Sequence, residues 1–327
     1  MGSPRQIALV VVIVLAFHAS GLLSPAAAQS GKGWEFGEYQ QFTLAPGSEV
    51  TTRAIEPSLR LSRVAVQRPQ VTPGATVKLI AEYLVSAPDA TIAVKEIRVI
   101  RFEGQQVATL ERVVSLPRGK GGSSVALRVP ADAAPGFYTV TTTVEPRVVT
   151  ETRSAGSGAN SVFRVGAAAA APSPPPAPVT PGAEPSAQFK LWTDKTSYKI
   201  GETLRVNFQS NRDGYATLVN VGTSGKITIL YPNAFSPNHA VKAGQTYSVP
   251  GAGDPYELSL GGPEGVELVY ALFTTEPTRF VEGNLTKSNA FAPQNDRAET
   301  ITRDINIAVK KIPLKEQASA VLEIEVK

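Results

Sequence analysis

The chain has 327 residues, 42% of them hydrophobic and 18% charged, which are the proportions of a globular protein rather than a disordered one. Its formal net charge is +4 with no run of Lys and Arg, which excludes the basic footprint of nucleic-acid binding. It holds no cysteine and only two histidines, which excludes disulfides, thiol nucleophiles and zinc sites built on thiolates or on several histidines.

Residues 1–28 read as a signal peptide. Arg5 gives a positive start, Ile7 to Phe17 is an unbroken apolar run, Ser24-Pro25 breaks any helix, and Ala26-Ala27-Ala28 offers the small side chains of a cleavage site. The apolar run is short for a membrane anchor, which takes roughly 20 residues. Cleavage is expected after Ala28, and no comparable run follows, so no membrane span is expected in the mature chain. The expected location is periplasmic or secreted. A lipid anchor would need a cysteine at the new N-terminus, and there is none.

Residues 29–54 carry Trp34, Phe36, Tyr39 and Phe42, more aromatic weight than a tail needs. They are expected either to pack as an edge segment or to serve as a docking arm, and packing is the simpler reading because aromatic side chains are usually buried. Residues 55–166 alternate apolar and polar residues in short runs, among them Val77 to Tyr83, Ile97 to Phe102, Val125 to Val129, Phe137 to Val140 and Val162 to Val165. Turn signals such as Thr72-Pro73-Gly74 and Pro135-Gly136 separate these runs, a pattern that predicts a β-sandwich. The phrases VTPGATVKLIAEY and VPADAAPGFYTVTTTV resemble segments of bacterial immunoglobulin-like domains, which implies a fold and no function. Arg98, Arg101, Arg112, Arg118, Lys120 and Arg128 are scattered over these strands and are expected on a solvated face, with an anion-binding strip as the alternative.

Residues 167–187 (AAAAAPSPPPAPVTPGAEPSA) have too little apolar surface to bury and enough proline to favour an extended, semi-rigid linker. Residues 188–327 then return to strand patterning. Lys199 to Phe208 enters a strand through a glycine turn. Asn211-Arg212-Asp213-Gly214 is expected to be a hairpin turn, with Tyr215 to Val221 as the returning strand. Ile227 to Tyr231 follows the turn Gly222-Thr223-Ser224-Gly225. Val266 to Phe273 is apolar on both parities and is expected in the middle of a sheet. Ala298 to Val309 places Ile301, Ile305 and Ala308 on one helical face, Pro313 ends that helix, and Ala320 to Val326 alternates as a closing strand. The expected fold class is therefore all-β, two β-sandwich-like domains joined by a Pro/Ala-rich linker with a short helix near the C-terminus.

The ordered phrases DKTSYKIGETLRVNFQSNRDGYATLVNVGTSGKITILYPN, VKAGQTYSVP, PEGVELVYALFT and AVLEIEV resemble the bacterial domain-of-unknown-function 4384 family over residues 189–327. The matching positions are Tyr198, Gly201, Asp213, Gly214, Tyr215, Tyr231, Pro232, Asn233, Gly244, Pro250, Pro263 and Gly265. Members occur in exported or envelope-facing proteins and, elsewhere, beside signalling modules. The resemblance implies no family-wide activity, and an immunoglobulin-like first half departs from the signalling arrangements.

The chemistry on offer is sparse. The expected mature chain has one histidine, His239, in a polar loop where an exposed imidazole is the plain reading. Gly222-Thr223-Ser224-Gly225 is one residue short of a nucleophile elbow and lies between strands rather than before a helix. There is no phosphate-binding glycine loop and no calcium-binding loop spacing. A pair of carboxylates acting on a glycan needs no local spacing and remains as an alternative.

Candidate binding residues are Asp213, Tyr215, Tyr231, Asn233 and Phe235. Asp213-Gly214-Tyr215 also makes sense as turn chemistry followed by a buried strand. Tyr231-Pro232-Asn233-Ala234-Phe235 ends a strand in a loop that could equally form a contact patch. The expectation is an exported cell-envelope interaction module without catalysis and without a cofactor. Its expected partner is an envelope protein or an anionic surface polymer, with no nucleic acid. The alternatives are a carbohydrate-active enzyme with paired carboxylates and a purely structural spacer of an envelope assembly.

Overall fold

The structure, a computed structural model, describes residues 27–44, 58–87, 91–147, 157–166, 186–277, 291, 294 and 297–327. The expected signal peptide up to residue 26, residues 45–54 of the N-terminal segment and the linker as far as residue 185 lie outside the described residues. The fold is mainly β with one α-helix among the described residues.

The first half contains β1 (Ala27–Ser30), β2 (Glu35–Thr43), β3 (Ser58–Gln67), β4 (Gln70–Val71), β5 (Thr76–Ser86), β6 (Thr91–Phe102), β7 (Gln105–Pro117), β8 (Gly119–Arg128), β9 (Gly136–Pro146) and β10 (Ser157–Val165). They form two sheets in the orders β1-β7-β6-β9-β10-β4 and β2-β8-β5-β3. Inward-facing residues of both sheets meet in one core, with Val77, Leu79, Val125 and Leu127 from one sheet against Ile100, Leu110, Tyr138 and Phe163 from the other. The aromatic N-terminal segment packs as expected: β2 pairs β8 at a sheet edge, and Trp34 is buried against Tyr138.

One expectation for this half fails at Arg98. Along β6 the inward positions are Val94, Glu96, Arg98 and Ile100, so Ile97 and Val99 face the other way. Arg98 and Glu96 are 0% and 1% exposed and pair at 2.6 Å. Arg98 also donates to the Leu79 carbonyl at 2.6 Å and to Ser123 Oγ at 2.7 Å. The second Glu96 oxygen accepts from Ser123 Oγ at 2.7 Å and Tyr39 OH at 2.9 Å. A buried charge is tolerated when it is paired and its remaining hydrogen-bonding capacity is filled, and both conditions hold here. Burial, with Glu96 beside it, pushes the Tyr39 phenol up, so it remains a neutral donor to the carboxylate. Among the other basic residues Arg118 and Arg128 are exposed, while Arg101, Arg112 and Lys120 are half-buried.

The second half contains β11 (Phe189–Trp192), β12 (Ser197–Tyr198), β13 (Thr203–Leu204), β14 (Val206–Ser210), β15 (Gly214–Val221), β16 (Ile227–Tyr231), β17 (Ala240–Val241), β18 (Thr246–Val249), β19 (Leu258–Ser259), β20 (Gly265–Thr274), α1 (Ala298–Lys311) and β21 (Gln317–Val326). The large sheet runs β12-β21-β20-β15-β16, with β17 also pairing β15; a smaller one runs β11-β14-β18, and β13 pairs β19. As expected, β20 lies inside the large sheet, between β21 and β15. Its residues Val269, Ala271 and Phe273 pack with Phe208 and Val206 of the small sheet. Its alternate residues Leu268, Tyr270 and Leu272 pack on Ile301 and Ile305 of α1. Both faces of the strand are covered, which accounts for its uninterrupted apolar sequence.

The turn at residues 211–214 differs from expectation. β14 and β15 belong to different sheets, so the chain turns a corner between layers and does not form a hairpin there. Gly214 has no positive φ. A side chain at that position would run into the Thr274 carbonyl and the Phe273 ring, so close packing, not backbone freedom, requires the glycine. The Gly222–Gly225 turn does join a paired β15 and β16.

The two halves touch through α1 and also directly, where Arg63 donates to the Thr223 carbonyl at 3.2 Å. In α1, Glu299 at the first turn and Lys310 and Lys311 at the last complement the helix dipole. Its apolar face meets β15, β16 and β20 and also Phe137 and Val162 of the first half. Asn306 accepts from the Phe137 N–H at 2.9 Å and donates to the Phe137 carbonyl at 2.9 Å, standing where a strand partner would. Thr302 bonds Thr139 at 3.0 Å, Lys310 pairs Glu103 at 2.5 Å, and the Arg164 guanidinium lies 5.2 Å from the Tyr270 ring centroid.

Candidate functional site

The predicted residues gather at one end of the second half, around the loop that leaves β16. Asn233 is 1% exposed and fully committed. Its Oδ1 accepts from the N–H groups of Phe235 and Ser236 at 2.8 and 2.9 Å, and its Nδ2 donates to the Leu230 carbonyl at 2.8 Å and to Tyr256 OH at 3.1 Å. An Asn has two lone pairs and two N–H groups to use, so none is left for a ligand. Phe235 packs on Tyr256, with ring centroids 4.8 Å apart, and faces Phe291 at 6.4 Å. Tyr215 is half-buried and lies 5.0 Å from the His239 ring, so the lone histidine of this half is held against an aromatic face.

Asp213 is exposed and bonds Lys242 Nζ at 2.8 Å and the Ala243 N–H at 2.9 Å. Lys242 and that N–H hold its carboxyl below the usual carboxylate range. Tyr231 is buried and donates to the Asn238 carbonyl at 2.7 Å. Burial pushes its phenol up to about 12, so it is a neutral hydrogen-bonding group at physiological pH. The Tyr231-Pro232, Val249-Pro250 and Gly262-Pro263 bonds are cis, and all three prolines are among the positions matching the family resemblance.

Tyr231 forms one wall of a cleft of about 670 Å³ whose other lining residues include Ser236, Asn238, Lys242, Tyr247 and Ser248. That volume lies within the range of small-ligand sites, roughly 300–1,000 Å³. The lining offers hydroxyls, an amide and one ammonium already paired with Asp213. Besides Lys242 its ionisable groups are the phenols of Tyr231 and Tyr247, and its lining holds no carboxylate and no imidazole. Among the described residues no group of three or more His, Asp or Glu is placed to hold a metal ion. No helix of the described residues is long and apolar enough to cross a membrane.

Sequence reasoning pointed to Tyr231 and to Asp213, which in the structure pairs with Lys242 of the cleft. It missed Lys242, Tyr247 and Ser248 themselves, because they reach the cleft from β18 and the turn before it. No local motif announces that approach.

Residues 197–277 match the family described as Domain of unknown function (DUF4384), a span that leaves out α1 and β21. No curated protein matches the chain. Among solved structures, a Pseudomonas fluorescens alkylpurine DNA glycosylase AlkC bound to DNA containing an abasic site analog is similar at 15% identity, over 33% of this chain and 30% of that one, with a TM-score of 0.26. A likeness that slight carries no argument about fold or function.

Proposed function

We propose that this chain is an exported, non-catalytic binding module of a cell envelope, and that the cleft between the β16 loop and β18 takes a protein or a surface polymer. The observation that supports this reading is the lining of the cleft: hydroxyls, an amide and a neutralised ion pair, with hydrogen-bonding capacity and no carboxylate or imidazole in the lining itself. The export segment at residues 1–28 supplies the location, and the absence of cysteine fits a module that relies on its buried cores rather than disulfides.

The test uses the full mature chain. Ala252 is exposed, lines the cleft and makes no side-chain hydrogen bond, so Ala252→Trp fills the space without disturbing the fold. Immobilised wild-type chain is expected to retain a specific component of envelope extract that A252W loses. Equal retention by both proteins removes the cleft as the contact site. Turnover of an envelope glycan by the wild-type chain removes the non-catalytic reading.

A further inference from the structure

We infer that the outer face of the small sheet β11-β14-β18 is a binding platform for an acidic polysaccharide, its chain running across the strands toward the cleft. The inference deepens the proposed function and rests on it only for the polymer's continuation into the cleft.

On β11, Phe189 and Leu191 pack against the core while Lys190 and Trp192 are exposed. On β14, Val206, Phe208 and Ser210 are buried, so Asn207 and Gln209 lie on the opposite, outer face. Register places Trp192 beside Asn207 and Asn207 beside Ser248. The Ser248 Oγ donates to Asn207 Oδ1 at 2.7 Å, so the two side chains share a face. Two inter-strand steps of about 4.8 Å make this row roughly 10 Å long, about the length of two linked pyranose rings. Ser248 also lines the cleft, so the row leads from an exposed tryptophan to that space.

Trp192 is 37% exposed. A tryptophan presented on a sheet is the stacking surface that the C–H face of a sugar ring fits, with the amide and hydroxyl beside it to take ring hydroxyls.

The flanks fix the charge of the ligand. Lys190 stands two residues from Trp192 along β11, on one side of the row. Arg205 is exposed between buried Leu204 and Val206, two residues before Asn207, and so shares its face on the other side of the row. Neither has a carboxylate partner among the described residues. In sequence the nearest acids, Asp194 and Glu202, are engaged by Tyr198 OH and Lys195, while exposed Glu257 lies one step beyond the Leu204–Leu258 pairing, beside Arg205, without forming an ion pair with it. Two such cations on either side of an aromatic platform are complementary to a chain that carries a carboxylate on its rings, a hexuronate polymer.

The experiment titrates the full mature chain with oligogalacturonate, with the same oligomer after reduction of its carboxyl groups, and with phosphatidylglycerol vesicles. Isothermal titration calorimetry is the readout for every variant, since Trp192→Ala removes the exposed ring and would leave only buried Trp34 to report by emission. The acidic oligomer is expected to bind, its reduced form at least several-fold more weakly, and Trp192→Ala to lose roughly tenfold in affinity or more. Lys190→Gln with Arg205→Gln, two exposed positions outside the core, is expected to retain the fold and to flatten the salt dependence of binding. Binding unchanged in both variants, or binding to vesicles with none to the oligomer, overturns the inference. Loss in W192A with normal binding by A252W keeps the platform and removes the cleft, whereas the reverse keeps the cleft and overturns the platform.

Discussion

The two halves of the molecule use their polar groups in opposite ways. In the first half, Glu96, Arg98, Ser123 and Tyr39 are turned inward and satisfy one another between the sheets. In the second, the cluster between the small and large sheets is built from apolar and aromatic side chains, and the small sheet turns Lys190, Trp192, Asn207 and Gln209 outward. A polar network closed on itself specifies a packing arrangement and leaves nothing for a partner. A sheet face with outward cations and an exposed aromatic ring contributes little to the core and is available to a ligand. The buried ion pair and its network belong to the first half and the candidate contacts to the second, which also closes off Asn233 and the Asn220–Glu267 pair within itself.

The largest test of that contrast is in the first half. Arg98→Ala leaves Glu96 buried without its partner and is expected to destabilise the protein by about 3–5 kcal/mol in urea unfolding. Replacing the pair together, with Glu96→Leu and Arg98→Met, is expected to cost far less, because no orphaned charge remains. If the double variant is as unstable as R98A, the network does more than satisfy its own charges.

A smaller effect is expected where the halves meet. Asn306→Ala leaves the N–H and carbonyl of Phe137 without their partners in a buried setting and is expected to cost about 1–3 kcal/mol. Hydrogen exchange at Phe137 should accelerate more than at Val77, in the heart of the first core. Uniform acceleration would mean that the halves do not unfold separately.

The smallest and most specific test is the pH dependence at Glu267. This carboxyl is buried, and burial raises its pKa despite the hydrogen bond from Asn220 Nδ2 at 2.8 Å. A raised folded pKa means that the folded state holds the proton more tightly than the unfolded chain does. Stability from this group is therefore full below the unfolded value and declines as pH rises through the folded one. Glu267→Gln is expected to raise the melting temperature at pH 7–8 and to leave it nearly unchanged near pH 4. An equal shift at both pH values would trace the effect to packing and not to protonation.

The sequence made much of the fold legible. The apolar residues on both parities of β20 announced a doubly covered strand, Ile301 and Ile305 announced the buried face of α1, and the aromatic spacing of residues 34–42 announced a packed edge. It could not reveal that Glu96 and Arg98 face inward. On β6 both parities carry apolar residues, and only the facing sheet, with Ser123 and Leu79, decides which set is buried. Nor could it show that residues 211–214 change layers, because a corner and a hairpin use the same turn residues. Of the candidate site, Tyr231 was legible, while Asn233 was legible as a residue of interest but not as one consumed by its own turn. Trp192 carried a subtler signal: a tryptophan on the polar parity of a short strand, in step with Lys190.

The Asn306 clasp on Phe137 also has a consequence in time. The two residues are 169 positions apart, and α1 follows every strand of the first half in the chain. A chain that leaves the ribosome N-terminus first completes those strands long before the helix that covers their edge is made. Until then Phe137 lacks the apolar face of α1 and its N–H and carbonyl lack Asn306, although β20, which brings Tyr270 against its ring, is made earlier. Contacts of such long range form slowly, and surfaces waiting for them are open to wrong pairings. The late arrival of one helix thus sets how long the earlier half must wait.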